Sequence, residues 1–175
     1  MCMFTACGIN RNEKTYRLSE EQNKERIVAE FQEPKGCKPD EETEKRTDSG
    51  FMFHQEILGE KGYLHVGLSK GGKISAAENG LKSIKETLKA EVEEEITECK
   101  IEENETVYYS AYYEYENQNG TGTCYARLLA AYVTIDGTSS VMVMVNASAE
   151  EKEKLCGREQ LYQFMEQTVQ SLKIK

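Results

Sequence analysis

The stretch "TVYYSAYYEYENQNGTGTCYARLLAAYVTIDGTSSVMVMVNAS", residues 106–148, constrains the fold more than any other part of this chain. Tyrosine, valine and threonine crowd into it, and their side chains suit a pleated, half-buried surface. Two turn dipeptides interrupt it, Asn119-Gly120 and Asp136-Gly137, and both fit two-residue hairpin turns with positive φ at the central positions. Those turns set a register. With Gln118 opposite Thr121, Val107, Tyr109, Ala111, Tyr113 and Tyr115 share a face with Tyr132, Ala130, Leu128, Ala126 and Cys124. A two-residue turn at Asp136-Gly137 then puts Val141, Val143 and Val145 beside Tyr132, Ala130 and Leu128 on that same face. The expectation is an antiparallel three-stranded meander with one strongly apolar surface, which a one-residue slip would destroy.

The opposite face collects Tyr108, Ser110, Tyr112, Glu114, Tyr125, Arg127, Leu129, Ala131, Val133, Met142 and Met144. Its apolar end needs cover, since a bare patch of that kind seldom sits in water without a partner. The last segment supplies it: Leu161, Met165, Thr168, Val169 and Leu172 form a helical stripe, with Gly157 weakening the first turns. Upstream, "FMFHQEIL" and "YLHVGLS" flank "GEKG" and read as a hairpin pairing Leu58 with Tyr63. Between hairpin and meander, Ala77, Leu81, Ile84, Leu88, Val92 and Ile96 recur at helical spacing. The glutamate-rich run "EVEEEITECKIEE" then becomes a solvated face; it has neither the alternating oxygen ligands nor the turn glycine of a Ca²⁺ loop. The predicted order is β-β-α-β-β-β-α, an α+β domain over residues 51–175 with an antiparallel sheet of about five strands flanked by helices.

Residues 8–50 read differently. Only eight of these 43 residues are apolar, and both prolines fall here. Such a segment buries too little to offset its ordering entropy, so it reads as a polar tether. Ser19 and Gln22 stand at capping-box spacing ahead of Ile27, Val28 and Phe31, which predicts a short helix over 19–31.

The element order, the tyrosine-rich hairpin and the closing helix ending "FMEQTVQSLKIK" resemble the PsbP-like family, which includes small bacterial lipoproteins; the likeness spans roughly residues 51–174. It implies an α/β/α sandwich and mostly non-enzymatic roles as accessory or binding modules outside the cytoplasm. No family binding motif maps onto particular positions here. The opening residues agree with it. Phe4-Thr5-Ala6-Cys7-Gly8 has the form of a lipobox, with Cys7 as the lipidated residue and residues 1–7 as the remnant of a signal whose front is missing. Two acyl chains on Cys7 would hold the protein stably at a bacterial cell membrane, facing away from the cytoplasm.

Charge narrows the partners. At a formal −9, with 31 acidic and 22 basic residues, the chain lacks the basic footprint that nucleic acid requires. No stretch is long and apolar enough to span a bilayer as a helix. Three N-x-S/T triplets start at Asn104, Asn119 and Asn146, but glycosylation belongs to eukaryotic secretion and the lipobox points elsewhere. Cysteines 37, 99, 124 and 156 remain once Cys2 is removed and Cys7 lipidated; their even number allows two disulfides or buried thiols, and no Cys-x-x-Cys suggests zinc.

No G-x-S-x-G elbow appears, no cysteine has a histidine beside it in sequence, and "GLSKGG" and "GTGT" lack the Lys-Ser/Thr of a phosphate loop. The chain is therefore read as non-enzymatic, with no cofactor. Its candidate ligand surface is Tyr108, Tyr112 and Tyr125 with Arg127 and Glu114, where aromatic faces could stack on a sugar or pack a peptide. A lesser candidate is a metal held by His54, His65 and Glu56 on the first hairpin, with Glu56 opposite His65, as in a metal-assisted hydrolase. The expectation is a membrane-tethered extracytoplasmic binding or scaffolding module. The alternative is a cytosolic protein-interaction domain of the same fold with reduced thiols.

Overall fold

The computed structural model describes residues 14–20, 23–40, 50–117 and 119–175; Cys7 and the rest of the expected signal lie outside them. Among the described residues ten strands run in chain order: β1 (Thr15–Glu20), β2 (Asn23–Gln32), β3 (Lys38–Pro39), β4 (Gly50–His54), β5 (Tyr63–Lys70), β6 (Glu91–Ile101), β7 (Asn104–Glu116), β8 (Thr123–Thr134), β9 (Ser139–Ala149) and β10 (Lys173–Ile174). Helix α1 (Lys73–Leu88) precedes β6 and α2 (Arg158–Ser171) follows β9. An antiparallel seven-stranded sheet has the order β3-β4-β5-β9-β8-β7-β6, and β1-β2-β10 form a second, three-stranded sheet. The fold is thus α+β, with more strands than expected and two helices.

Each face of the large sheet has its own core. Ala76, Ala77 and Leu81 of α1 pack on Val107, Tyr109, Leu128, Ala130 and Tyr132. Gly80 lets the helix approach: a Cβ there would stand 2.4 Å from the Tyr132 hydroxyl and 2.8 Å from that of Tyr109. On the other face Leu161, Met165 and Val169 of α2, with Leu172 just past its end, pack with Leu129, Ala131, Val133, Val141, Val143 and Val145. The small sheet lies over the β4–β5 end of that face.

The tether reading fails over residues 15–20 and 23–32, and the helix expected over 19–31 fails with it. These two stretches are paired strands, with Tyr16 opposite Phe31 and Leu18 opposite Ala29. The few apolar residues of β1 fall on one side, alternating with Thr15 and Arg17, so they form one buried surface despite their sparseness. Their partners come from the large sheet: Tyr16 and Phe31 meet Phe51 and Phe53 with centroids 5.0 to 6.0 Å apart.

The middle helix is shorter than its periodicity predicts. It stops at Leu88, with Lys89 in the left-handed region at φ 51°, and Val92 and Ile96 belong to β6. Two irregularities in the pairing of β6 lie between them and offset each other, so both still point toward α1.

The β7–β8 register is the one the Asn119-Gly120 reading gives, Val107 facing Tyr132 and Tyr115 facing Cys124. The β8–β9 register is displaced by one residue, with Val133 facing Val141 and Leu129 facing Val145. Asp136 and Gly137 do not adopt positive φ. Instead the Asp136 carboxylate accepts from the Thr138 amide (2.7 Å) and from the Thr138 and Ser139 hydroxyls, and the amides of Ile135 and Asp136 both donate to the Ser139 carbonyl. This longer turn sends the valines to the α2 face, which is equally apolar and covered.

The first hairpin is displaced by four residues. Phe53 faces Leu64 and Met52 faces His65, because residues 56–58 leave the ladder as a 3₁₀ turn capped by the Gln55 side chain. An even displacement leaves the strand faces unchanged, but Ile57 becomes exposed.

Candidate functional site

Two irregularities in β6 govern the chemistry on the α2 face. The pairing of β6 with β7 shifts between Val92 and Glu94 and again between Glu94 and Thr97. Such bulges turn adjacent side chains to one side of a strand. Here Glu93 and Glu94 both reach the α2 face: Arg127 Nε donates to both Glu93 carboxylate oxygens at 3.0 and 2.9 Å, while Glu94 receives the Tyr108 hydroxyl at 3.5 Å and pairs with Arg158 at 3.6 Å.

The five residues expected to form one ligand surface are divided between two neighbouring places. Tyr112 faces Arg127 and Glu114 faces Tyr125 across β7 and β8. Arg127 is committed to structure: beyond Glu93, its Nη1 donates to the Cys156 carbonyl at 2.9 Å, fastening the lead into α2 onto the sheet. The Tyr112 hydroxyl donates to Glu114 at 2.7 Å, and Lys152 Nζ stands 5.0 Å from its ring centroid. Desolvation first, and then the Glu114 carboxylate, push the Tyr112 phenol up to about 12.

Tyr108 belongs to a cleft. It meets Tyr162 of α2 edge to face, with centroids 5.4 Å apart. Together with Glu94, Leu129, Arg158, Glu159, Gln163 and Glu166 they line an open cleft of 460 Å³ between α2 and the sheet. Its charged walls carry three carboxylates and one guanidinium. Burial and then the nearby Cys99 and Glu166 push the Tyr162 phenol up to about 12; burial and then Glu94 raise that of Tyr108. Beneath it, Ser110 lies between Glu94 and Leu129 in the ladder and has a fully buried hydroxyl with no partner among the described residues. Tyr162, Glu94 and the Glu93–Arg127 pair escape sequence reasoning because a bulge has no local signature and Tyr162 lies beside the apolar stripe of the final helix, not on it.

The expected metal site does not assemble. The displaced register puts Met52, not Glu56, opposite His65. His54 Nδ1 donates to the Gly62 carbonyl at 3.1 Å, and Nε2 faces Asp40 at 3.4 Å. Glu56 lies in the exposed 3₁₀ turn, and among the described residues no three of His, Cys, Asp and Glu come together to hold an ion. A larger groove of 520 Å³ lies where that turn meets the end of β9, between Lys61, Tyr115, Cys124 and Glu150. Cys37, Cys99, Cys124 and Cys156 are free thiols; burial raises those of Cys37 (to about 11), Cys99 and Cys156.

No protein-family model matches the chain, and no curated protein matches it. Among solved structures it is similar to a crystal structure from Bacteroides thetaiotaomicron VPI-5482, at 12% identity and a TM-score of 0.46 over 85% of this chain. The match covers 45% of that protein, so this chain spans less than half of its length.

Proposed function

We propose that this protein is a non-enzymatic, extracytoplasmic binding module of PsbP-like type, tethered to a bacterial membrane through Cys7, whose α2 cleft takes a peptide bearing a basic side chain. The observation that carries the reading is the composition of that cleft: two tyrosine rings set edge to face between three carboxylates and a single guanidinium. Aromatic faces attract a cation through their quadrupole, and surrounding carboxylates favour one over an anion. A neutral sugar would gain the stacking without the charge. Seven residues stand between Cys7 and β1 in the sequence, and a chain of that length reaches at most about 25 Å at ~3.5 Å per residue, so such a tether would hold the module close to the bilayer.

A titration of the full chain followed by NMR tests the ligand class. A lysine-containing tripeptide is expected to shift the Tyr108 and Tyr162 ring resonances, and a neutral disaccharide to leave them. Rings unmoved by the peptide would end the reading. Intact mass of the protein expressed from its natural gene tests the tether, because lipidation adds a diacylglyceryl group to the Cys7 sulfur and a signal peptidase then hydrolyses the peptide bond before Cys7, removing residues 1–6. An unmodified Met1 favours the second reading, a cytosolic interaction domain, for which the four free thiols speak.

A further inference from the structure

Helix α1 packs on β7 and β8, with β6 and β9 at its margins, and β5 and β4 continue the same face beyond β9. There Met52, His65 and Met144 stand in one row across three adjacent strands, Met52 directly paired with His65 and His65 directly with Met144. Met142, opposite Gly67, shares that face two residues before Met144, so three of the chain's six methionines stand on the face that carries His65. Directly opposed residues hold their Cβ atoms ~5 Å apart, and methionine's three rotatable bonds let its sulfur lean toward a neighbour. The Tyr63 hydroxyl already meets the Met144 sulfur at 3.8 Å.

His65 is half-buried and has no hydrogen-bond partner among the described residues. Its Nε2 lies over Gly50, where a Cβ would come within 2.9 Å, so the absence of a side chain leaves that nitrogen unobstructed. An imidazole binds metals through a ring nitrogen in its neutral form. Thioethers are soft donors that select Cu(I), imidazole suits copper, and hard cations prefer oxygen. We propose that Met52, His65 and Met144 form a binding site for Cu(I), with Met142 as an additional thioether on its rim. This set shares only His65 with the histidine–glutamate arrangement that the hairpin register rules out.

The test uses Ag(I), which shares the charge and softness of Cu(I) and is redox-stable in air, added to the full chain labelled at its methionine methyl groups. Thiols compete for the ion, so the titration runs to one equivalent more than the six cysteines. The expected result is that the Met52 and Met144 methyl resonances and the His65 ring resonances move together within a single equivalent, while Met165, buried beneath α2, does not. Resonances of Met52, Met144 and His65 that stay in place throughout, or methionine shifts without His65, overturn the proposal. Met52→Leu/Met144→Leu, a nearly volume-conserving change, is expected to bind one equivalent fewer; an unchanged stoichiometry counts against the site.

Discussion

Gly80 stands where α1 crosses the stacked rings of Tyr109 and Tyr132, whose centroids are 6.2 Å apart. An added methyl there meets both phenol oxygens at less than 3 Å, and both rings are buried. Gly80→Ala is therefore expected to destabilise the fold by about 1–3 kcal/mol through overpacking, despite alanine's higher helix propensity. Adding Tyr132→Phe removes the nearer oxygen and is expected to recover part of the loss; denaturant unfolding of the two variants and their combination measures the coupling. At the β8–β9 turn the Thr138 amide, with the Thr138 and Ser139 hydroxyls, holds the Asp136 carboxyl at about 2 instead of 3.8. A depressed carboxyl contributes stability that is present above its ordinary value and is lost as pH falls toward the folded one. Melting temperature is thus expected to fall between pH 4 and pH 2 in the parent chain and to fall less steeply in Asp136→Asn. Identical pH profiles for the two chains would remove Asp136 from the account of this turn.

At the scale of elements, Arg127 connects three pieces of structure: its own strand β8, the bulged Glu93 of β6, and the Cys156 carbonyl ahead of α2. With both members of the ion pair only about a fifth exposed, Arg127→Met leaves Glu93 and a carbonyl without their donor. The expected cost is about 1–3 kcal/mol, with amide exchange in the first turn of α2 accelerating more than in β8. Uniform acceleration would mean that Arg127 supports the sheet alone and not the helix. The elements most legible in the sequence were those with local instructions: β7 and β8 around Asn119-Gly120, and the apolar stripe of α2. Val92 and Ile96 continue the helical spacing of α1, and what makes them strand instead is their pairing with β7, which has no local signal. The valines of β9 were assigned to the wrong face because both faces are apolar, so pattern alone could not penalise a one-residue displacement. The candidate site was legible in part. Tyr108 and Arg127 were found, but the bulge that brings Glu93 and Glu94 to them depends on pairing with β7, and Tyr162 becomes a neighbour only once α2 docks.

At the scale of the whole molecule, the decisive relation is between the small sheet and the rest. Sequence composition cast residues 8–50 as a leash because their apolar content is low, an inference valid only when no surface elsewhere receives the few apolar side chains present. Phe51 and Phe53 are that surface, and they lie beyond the boundary the composition drew. The chain closes on itself as well: β10, its last strand, pairs with β2, and the Lys175 ammonium reaches Glu30 at 2.9 Å. Tyr16, Leu18, Ala29 and Phe31 are therefore part of the same core as Val143 and Met165, and their removal uncovers Phe53, Leu64 and Val66. Phe31→Ala is expected to cost about 3–5 kcal/mol, the range for a fully buried aromatic. Deleting residues 1–33 is expected to abolish the cooperative melt altogether, since it strips β1 and β2 from an aromatic cluster and leaves β10 with no strand to pair. If the shortened chain instead melts in one transition near the temperature of the full chain, the small sheet is an ornament on an independent sandwich, and the division at residue 51 drawn from composition is the better description of how this protein holds together.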